Sequence, residues 1–150
     1  MRIVGGWSAD VPFLVAFLTY ERLNIKKRIV FLIDSGASKT TILDGDAIRL
    51  GIDYSRLQRH KEGTTGIGGT VDTYIIPDVK LFFKSSEGSI HEEKLKEIFV
   101  LKHNLERMKK EETERIKMLP SVLGRDVINR FKLVLCKDDD IALLTDEISV

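Results

Sequence analysis

Five apolar residues in a row, Ile29-Val30-Phe31-Leu32-Ile33, run straight into Asp34-Ser35-Gly36-Ala37, and no other stretch restricts the fold as much. The run is mostly β-branched or aromatic and ends in an acid, a hydroxyl and a glycine. It reads as a buried strand that delivers a polar group to a sharp turn. A carboxylate placed there either shapes the turn or does chemistry. Taken alone, Asp-Ser-Gly is a common turn and leaves both readings open.

The flanking residues extend a β pattern in both directions. Val11 to Tyr20 and Lys27 to Ile33 are strand-like, and Glu21-Arg22-Leu23-Asn24 is a polar break of hairpin length between them. Met1 to Asp10 shows no clear period and reads as an N-terminal strand or arm. Beyond the turn, Thr40-Thr41-Ile42-Leu43 is short and β-prone. Asp44-Gly45-Asp46 then supplies helix-start acids before Ala47-Ile48-Arg49-Leu50, with Gly51 as the stop. Gly63, Gly66, Gly68 and Gly69 mark the tip of a glycine-rich hairpin, and Thr70 to Phe83 resumes β-type residues. Pro77 signals an edge position or a break, because it removes a ladder donor. Ile90 to His103 continues as strand.

From Asn104 to Lys117 the character changes to dense Lys, Arg and Glu with a sparse apolar stripe of Leu105, Met108 and Ile116. Asn104 reads as a cap, and Glu106 with Lys110 and Glu111 with Arg115 sit at i,i+4 spacing. The segment reads as a charged helical insertion at 104–117, with a loop as the alternative. Val122-Leu123-Gly124 returns to strand and turn, Arg125 to Phe131 has helical spacing, and Lys132 to Cys136 and Ile141 to Leu144 are strands.

Composition narrows the classes. At 150 residues and 43% hydrophobic content, the chain suits one domain with a core that needs neither disulfides nor metal. Twenty-four Lys and Arg against twenty-three Asp and Glu leave a charge of +1, which points to neither nucleic acid nor an acidic ligand. Cys136 is the one cysteine, and His60, His91 and His103 show no zinc-type spacing, so no metal or cofactor is expected. The histidines read as surface residues and Cys136 as inert core. A reducing, cytoplasmic setting follows from the cysteine usage. Val11 to Leu18 is too short to span a bilayer and carries no signal-peptide features.

Three stretches stand in a telling order: the strand into Asp34-Ser35-Gly36-Ala37, the hairpin Gly66-Ile67-Gly68-Gly69, and Val122-Leu123-Gly124-Arg125 before a short helix. Together they resemble the retropepsin-like aspartic proteases, the single-domain relatives of pepsin, over roughly Val11 to Leu144. The resemblance implies a mostly β, retropepsin-like acid-protease half-barrel in one domain over residues 1–150, with one short C-terminal helix and 104–117 as an insertion. It implies Asp34 as the catalytic acid, supported by Ser35, Gly36 and Ala37. Gly66, Ile67, Gly68 and Gly69 become a flap over the substrate, and Val122, Leu123, Gly124 and Arg125 a loop behind the acid.

The chemistry gives this order its meaning. Hydrolysing a peptide with water and no metal takes one group to accept a proton from water and another to give one to the carbonyl oxygen. Two close carboxylates sharing one proton do both. Only one Asp-Ser-Gly is present, so a symmetric pair requires a C2 homodimer with a peptide or protein substrate crossing its axis. The alternative is a non-catalytic dimeric peptide-binding or assembly module on the same fold. A further option has the N-terminal arm or 104–117 covering the groove. One position departs from the family pattern. Viral relatives place an acid where Ser38 stands, and it pairs with the arginine found here as Arg125. Arg125 is therefore expected to bond Ser38 and backbone carbonyls, or another acid such as Asp126 or one from the partner chain.

Overall fold

The computed structural model describes residues 1–60, 64–66 and 69–147, and these are mostly β. The strands are β1 (Arg2–Val4), β2 (Gly6–Ser8), β3 (Val11–Tyr20), β4 (Ile25–Ile33), β5 (Thr41–Ile42), β6 (Gln58–Arg59), β7 (Thr64–Gly66), β8 (Gly69–Lys84), β9 (Ile90–Lys102), β10 (Val122–Leu123), β11 (Lys132–Cys136) and β12 (Ile141–Thr145). Three α-helices interrupt them: α1 (Asp44–Leu50), α2 (Lys110–Met118) and α3 (Arg125–Ile128).

The larger sheet has the order β2-β3-β4-β10-β5-β9-β8-β6, and a further β3–β8 ladder joins two strands far apart in that order. A smaller sheet, β1-β12-β11, contributes Ile3, Ala142 and Leu144 to the same apolar cluster. In the β3–β4 hairpin, the polar break forms a single 3-10 turn, Glu21–Leu23, and Asn24 takes the left-handed conformation at φ 52°. A short amide side chain tolerates that region better than most residues.

Alternation along this hairpin corrects one expectation. Leu14, Ala16 and Leu18 on β3, and Ile29, Phe31 and Ile33 on β4, are buried. Val30, in the middle of the apolar run, is 38% exposed, and Val15 and Phe17 share its outer face. The continuous run is therefore a strand buried on one face only, as the period of two along a strand permits.

Pro77 sits inside β8, whose register with β9 is the same on either side of it. β6 pairs only as far as Ile75 and β3 begins at Lys80, so Pro77 faces neither strand on that side. Its missing N–H thus falls at a local edge, where the ladder does not need it.

The charged segment is helical, but it starts later than its sequence suggests. Asn104 precedes a short 3-10 turn, Leu105–Arg107, and makes no side-chain cap; α2 begins at Lys110 after Lys109. Of the apolar stripe only Ile116 is buried. The end of α2 rests on α1 so closely that a Cβ on Gly45 would lie 2.0 Å from the Lys117 carbonyl oxygen. Two further expectations are overturned. His103 is buried, because Asp44 at the start of α1 supplies a partner for both its ring and its backbone. Cys136 is only partly buried, its thiol set 3.4 Å from an Asp139 carboxylate oxygen on the turn that follows.

Candidate active site

Asp34 lies at the end of β4, where β10 runs parallel to it with Val122 opposite Leu32 and Leu123 opposite Ile33. The Leu32 N–H donates to Ser121 O at 2.8 Å and the Asp34 N–H to Leu123 O at 3.1 Å, so the backbone is held up to the acid itself. The chain then turns. The Ala37 N–H donates to Asp34 O at 3.1 Å, and the Gly36 N–H to the carboxylate Oδ1 at 2.9 Å. This second bond fixes one oxygen of Asp34 and leaves Oδ2 for other partners. A Cβ on Gly36 would sit 3.1 Å from Oδ1, so a side chain there would press on the carboxylate. The carboxylate is half-buried, while Ser35 and Gly36 are exposed.

The backing loop reaches this turn through two hydrogen bonds from Arg125. The Arg125 N–H donates to Ala37 O at 2.8 Å, and the Arg125 guanidinium Nη1 donates to Ser35 O at 2.9 Å. Of the expected partners, Ser38 and backbone carbonyls, the Arg125 side chain bonds a carbonyl, that of Ser35, and among the described residues not Ser38. Asp126, one of its candidate partners, is committed elsewhere. Its Oδ2 accepts the Thr40 N–H at 2.9 Å and its Oδ1 accepts the Thr40 hydroxyl at 2.7 Å. Thr40 Oγ1 in turn accepts the Gly124 N–H at 3.1 Å. Gly124 packs against the far end of the Asp34 loop; a Cβ there would be 2.5 Å from the Lys39 carbonyl carbon and 2.8 Å from Thr40 N.

Thr40 and Asp126 are the site-building residues that motif reading missed. Both were visible as polar residues beside motif positions, but nothing in the spacing said that they meet across 86 residues of chain. Lys39 pairs with Glu97 and stands over the Phe99 ring, 5.2 Å from its centroid, which anchors the same loop to β9.

Of the hairpin, the β7–β8 ladder pairs Thr64 with Val71, Thr65 with Thr70 and Gly66 with Gly69. Ile67 and Gly68 lie outside the described residues. Among the described residues, no cluster of three or more His, Cys, Asp or Glu converges as a metal site would. No helix there is long and apolar enough to cross a membrane.

No protein-family model matches the chain, and no curated protein matches its sequence. Solved structures do match. A retropepsin-like aspartic protease from Rickettsia conorii is 21% identical with a TM-score of 0.55, over 96% of this chain and 89% of that one. EIAV protease in complex with an inhibitor is 19% identical with a TM-score of 0.49, over 86% of this chain and 98% of that one. The retroviral protease-like domain of Ddi1 from Leishmania major gives 14% and 0.42, over 92% and 98%. The weight rests on the first, whose overlap spans nearly all of both chains. The chain has the retropepsin-like fold.

Proposed function

We propose that the chain is an aspartic endopeptidase acting as a C2 homodimer, with Asp34 of each copy forming the acid/base pair. The observation that carries this reading is the state of Asp34: a half-buried carboxylate at a strand end, one oxygen held by the Gly36 N–H. On this fold, a second copy related by a two-fold axis would complete the pair. Two adjacent carboxylates hold one proton between them. The ionised one takes a proton from water as the water oxygen attacks the peptide carbonyl carbon, and the other donates its proton to the carbonyl oxygen. Collapse of the tetrahedral adduct sends a proton to the leaving nitrogen and restores the pair.

In this reading Ser35 bonds across the axis, and Gly36 and Ala37 keep the backbone close to the carboxylates. Gly66, Ile67, Gly68 and Gly69 form the flap, whose backbone adds to an extended peptide as a strand does. Val122, Leu123, Gly124 and Arg125 brace the acid from behind. Residues 1–150 act as one domain with no cofactor, in the cytoplasm, on peptide or protein substrates rather than nucleic acid or membrane.

The test is Asp34→Asn. Purified wild-type dimer should cleave an unstructured protein substrate and be blocked by a statine-type mimic of the tetrahedral adduct. Asp34→Asn should dimerise equally and cleave nothing. Cleavage that survives in the variant refutes the assignment. A wild-type dimer that binds peptide and leaves it intact favours the non-catalytic binding module instead.

A further inference from the structure

Strand β4 is paired along nearly its whole length on one side and hardly at all on the other. β3 covers it from Ile25 to Leu32, whereas β10 reaches only Leu32 and Ile33. The Leu32 N–H, which donates to Ser121 O, points to the β10 side. Backbone groups alternate in direction along a strand, so those of Val30 and Arg28 point to that side too. Among the described residues no strand lies beside them there, and no backbone hydrogen bond reaches them from it. Both residues are exposed. β4 thus offers an open edge, on the strand whose far end carries Asp34.

Two adjoining cavities of about 320 and 560 Å³ follow this edge, and both reach Asp46 and Arg49 on α1. Arg28 and Ile29 both line the smaller one, although their side chains leave the strand on opposite faces, which sets it at the edge rather than over a face. The larger has apolar walls, among them Phe13, Val30, Ile48 and Leu119. The charged lining of the two is cationic: Lys27, Arg28, Arg49 and Lys117 stand against the single carboxylate of Asp46. That carboxylate is buried and already engaged by Arg49 and the Ser121 hydroxyl. Pairing with the same edge of a second copy would set these cations against their own kind, and Lys on an open edge deters such pairing. An acidic strand meets the opposite field and is attracted.

We propose that the open edge of β4 binds an extended acidic peptide segment by strand addition, at a surface distinct from the Asp34 carboxylate and independent of catalysis there. The Arg28 and Val30 backbone groups pair with the peptide backbone. A peptide side chain beside Val30 enters the apolar cavity, and the one two residues away stands beside Arg28 on the same face. The segment selected therefore carries an apolar residue with an acid two positions from it.

The probe is acetyl-Ser-Glu-Thr-Leu-Thr-Glu-Ser-amide, which presents that spacing in either strand direction, titrated into the full chain and followed by amide NMR. Binding should saturate with a Kd of about 0.1 mM. The Arg28 and Val30 amides should then exchange about fivefold more slowly or less, while Ile29 and Phe31, which face β3, should not change. Replacing both Glu of the peptide by Gln, or its Leu by Ala, should weaken binding about fivefold or more. Arg28→Glu, at an exposed position that spares folding, should weaken it about tenfold. Asp34→Asn should bind the peptide like wild type, so a failed catalytic assignment leaves this test intact. No saturable binding, equal binding of the Gln peptide, equal binding in Arg28→Glu, or unprotected Arg28 and Val30 amides at saturation overturns the proposal. So does protection of those amides that rises with protein concentration in the absence of peptide, which makes a second copy the occupant.

Discussion

Removing the Asp126 carboxylate tests how the Asp34 loop is held. In Asp126→Ala, Thr40 loses both bonds to that side chain, at 2.9 and 2.7 Å. Hydrogen bonds to a charged group contribute about 1.5–3 kcal/mol each, and two that share one carboxylate and one partner residue are not additive. Thr40 is 0% exposed, so its amide cannot turn to water instead. The loss should therefore be about 3–4 kcal/mol. Asp126→Asn should cost only about 1–2 kcal/mol. Its amide oxygen keeps the Thr40 N–H, and its NH2 donates to Thr40 Oγ1, which has a second lone pair beyond the one facing Gly124. Urea unfolding of the three proteins at one protomer concentration measures this, with an unchanged m-value as the condition for comparing midpoints. The reasoning fails if Asp126→Ala lies within about 0.5 kcal/mol of wild type, or if Asn is as damaging as Ala.

Gly124→Ala should destabilise by about 3 kcal/mol or more, read by the same unfolding assay, because its Cβ would meet Lys39 and Thr40 backbone rather than a movable side chain. A loss under about 1 kcal/mol would mean that the loop yields. Glu93 should show a pH-dependent contribution. Burial works to raise its carboxyl, but hydrogen bonds from His91 and Arg130 prevail and hold it below the ordinary value of 4.5. A lowered folded value gives stability that is present above 4.5 and disappears as pH falls below it, so Glu93→Gln should be destabilising at neutral pH and indistinguishable from wild type in strong acid. A pH-independent difference contradicts this. Burial first, then the Asp44 charge and Tyr74, pushes the Tyr54 hydroxyl up to about 12. Ultraviolet titration of wild type against Tyr54→Phe should assign to Tyr54 a transition near 12 rather than 10, with wild-type stability declining between 10 and about 12; a Tyr54 transition near 10 would refute it.

Several parts of this architecture were legible because their signals are local. Apolar, β-rich runs and the polar break at residues 21–24 marked β3 and β4, and helix-start acids with Gly51 marked α1. The order of Asp34-Ser35-Gly36, a glycine-rich hairpin and Val122-Leu123-Gly124 pointed to the fold. The helix in the charged segment was legible as a helix, but its start was misplaced: Asn104 has the composition of a cap, yet the chain first makes a 3-10 turn before α2. Whether a cap bonds depends on the direction of chain entry, and composition does not carry that.

By itself the sequence determined where the β3 and β4 strands run, where the chain turns between and after them, and that a carboxylate stands at the end of β4. It did so because apolar β-branched runs, turn chemistry and glycine placement act over a few neighbouring residues. Only the tertiary structure decided that one face of that apolar strand stays partly open at Val30. It also decided that Asp126 serves Thr40 rather than Arg125, and that His103 is buried on Asp44. Each of these turns on a partner 59 or 86 residues away, or on which face a neighbouring element happens to cover. A side chain's charge and donors declare what it can bind, whereas the folding of distant segments against one another decides what it meets.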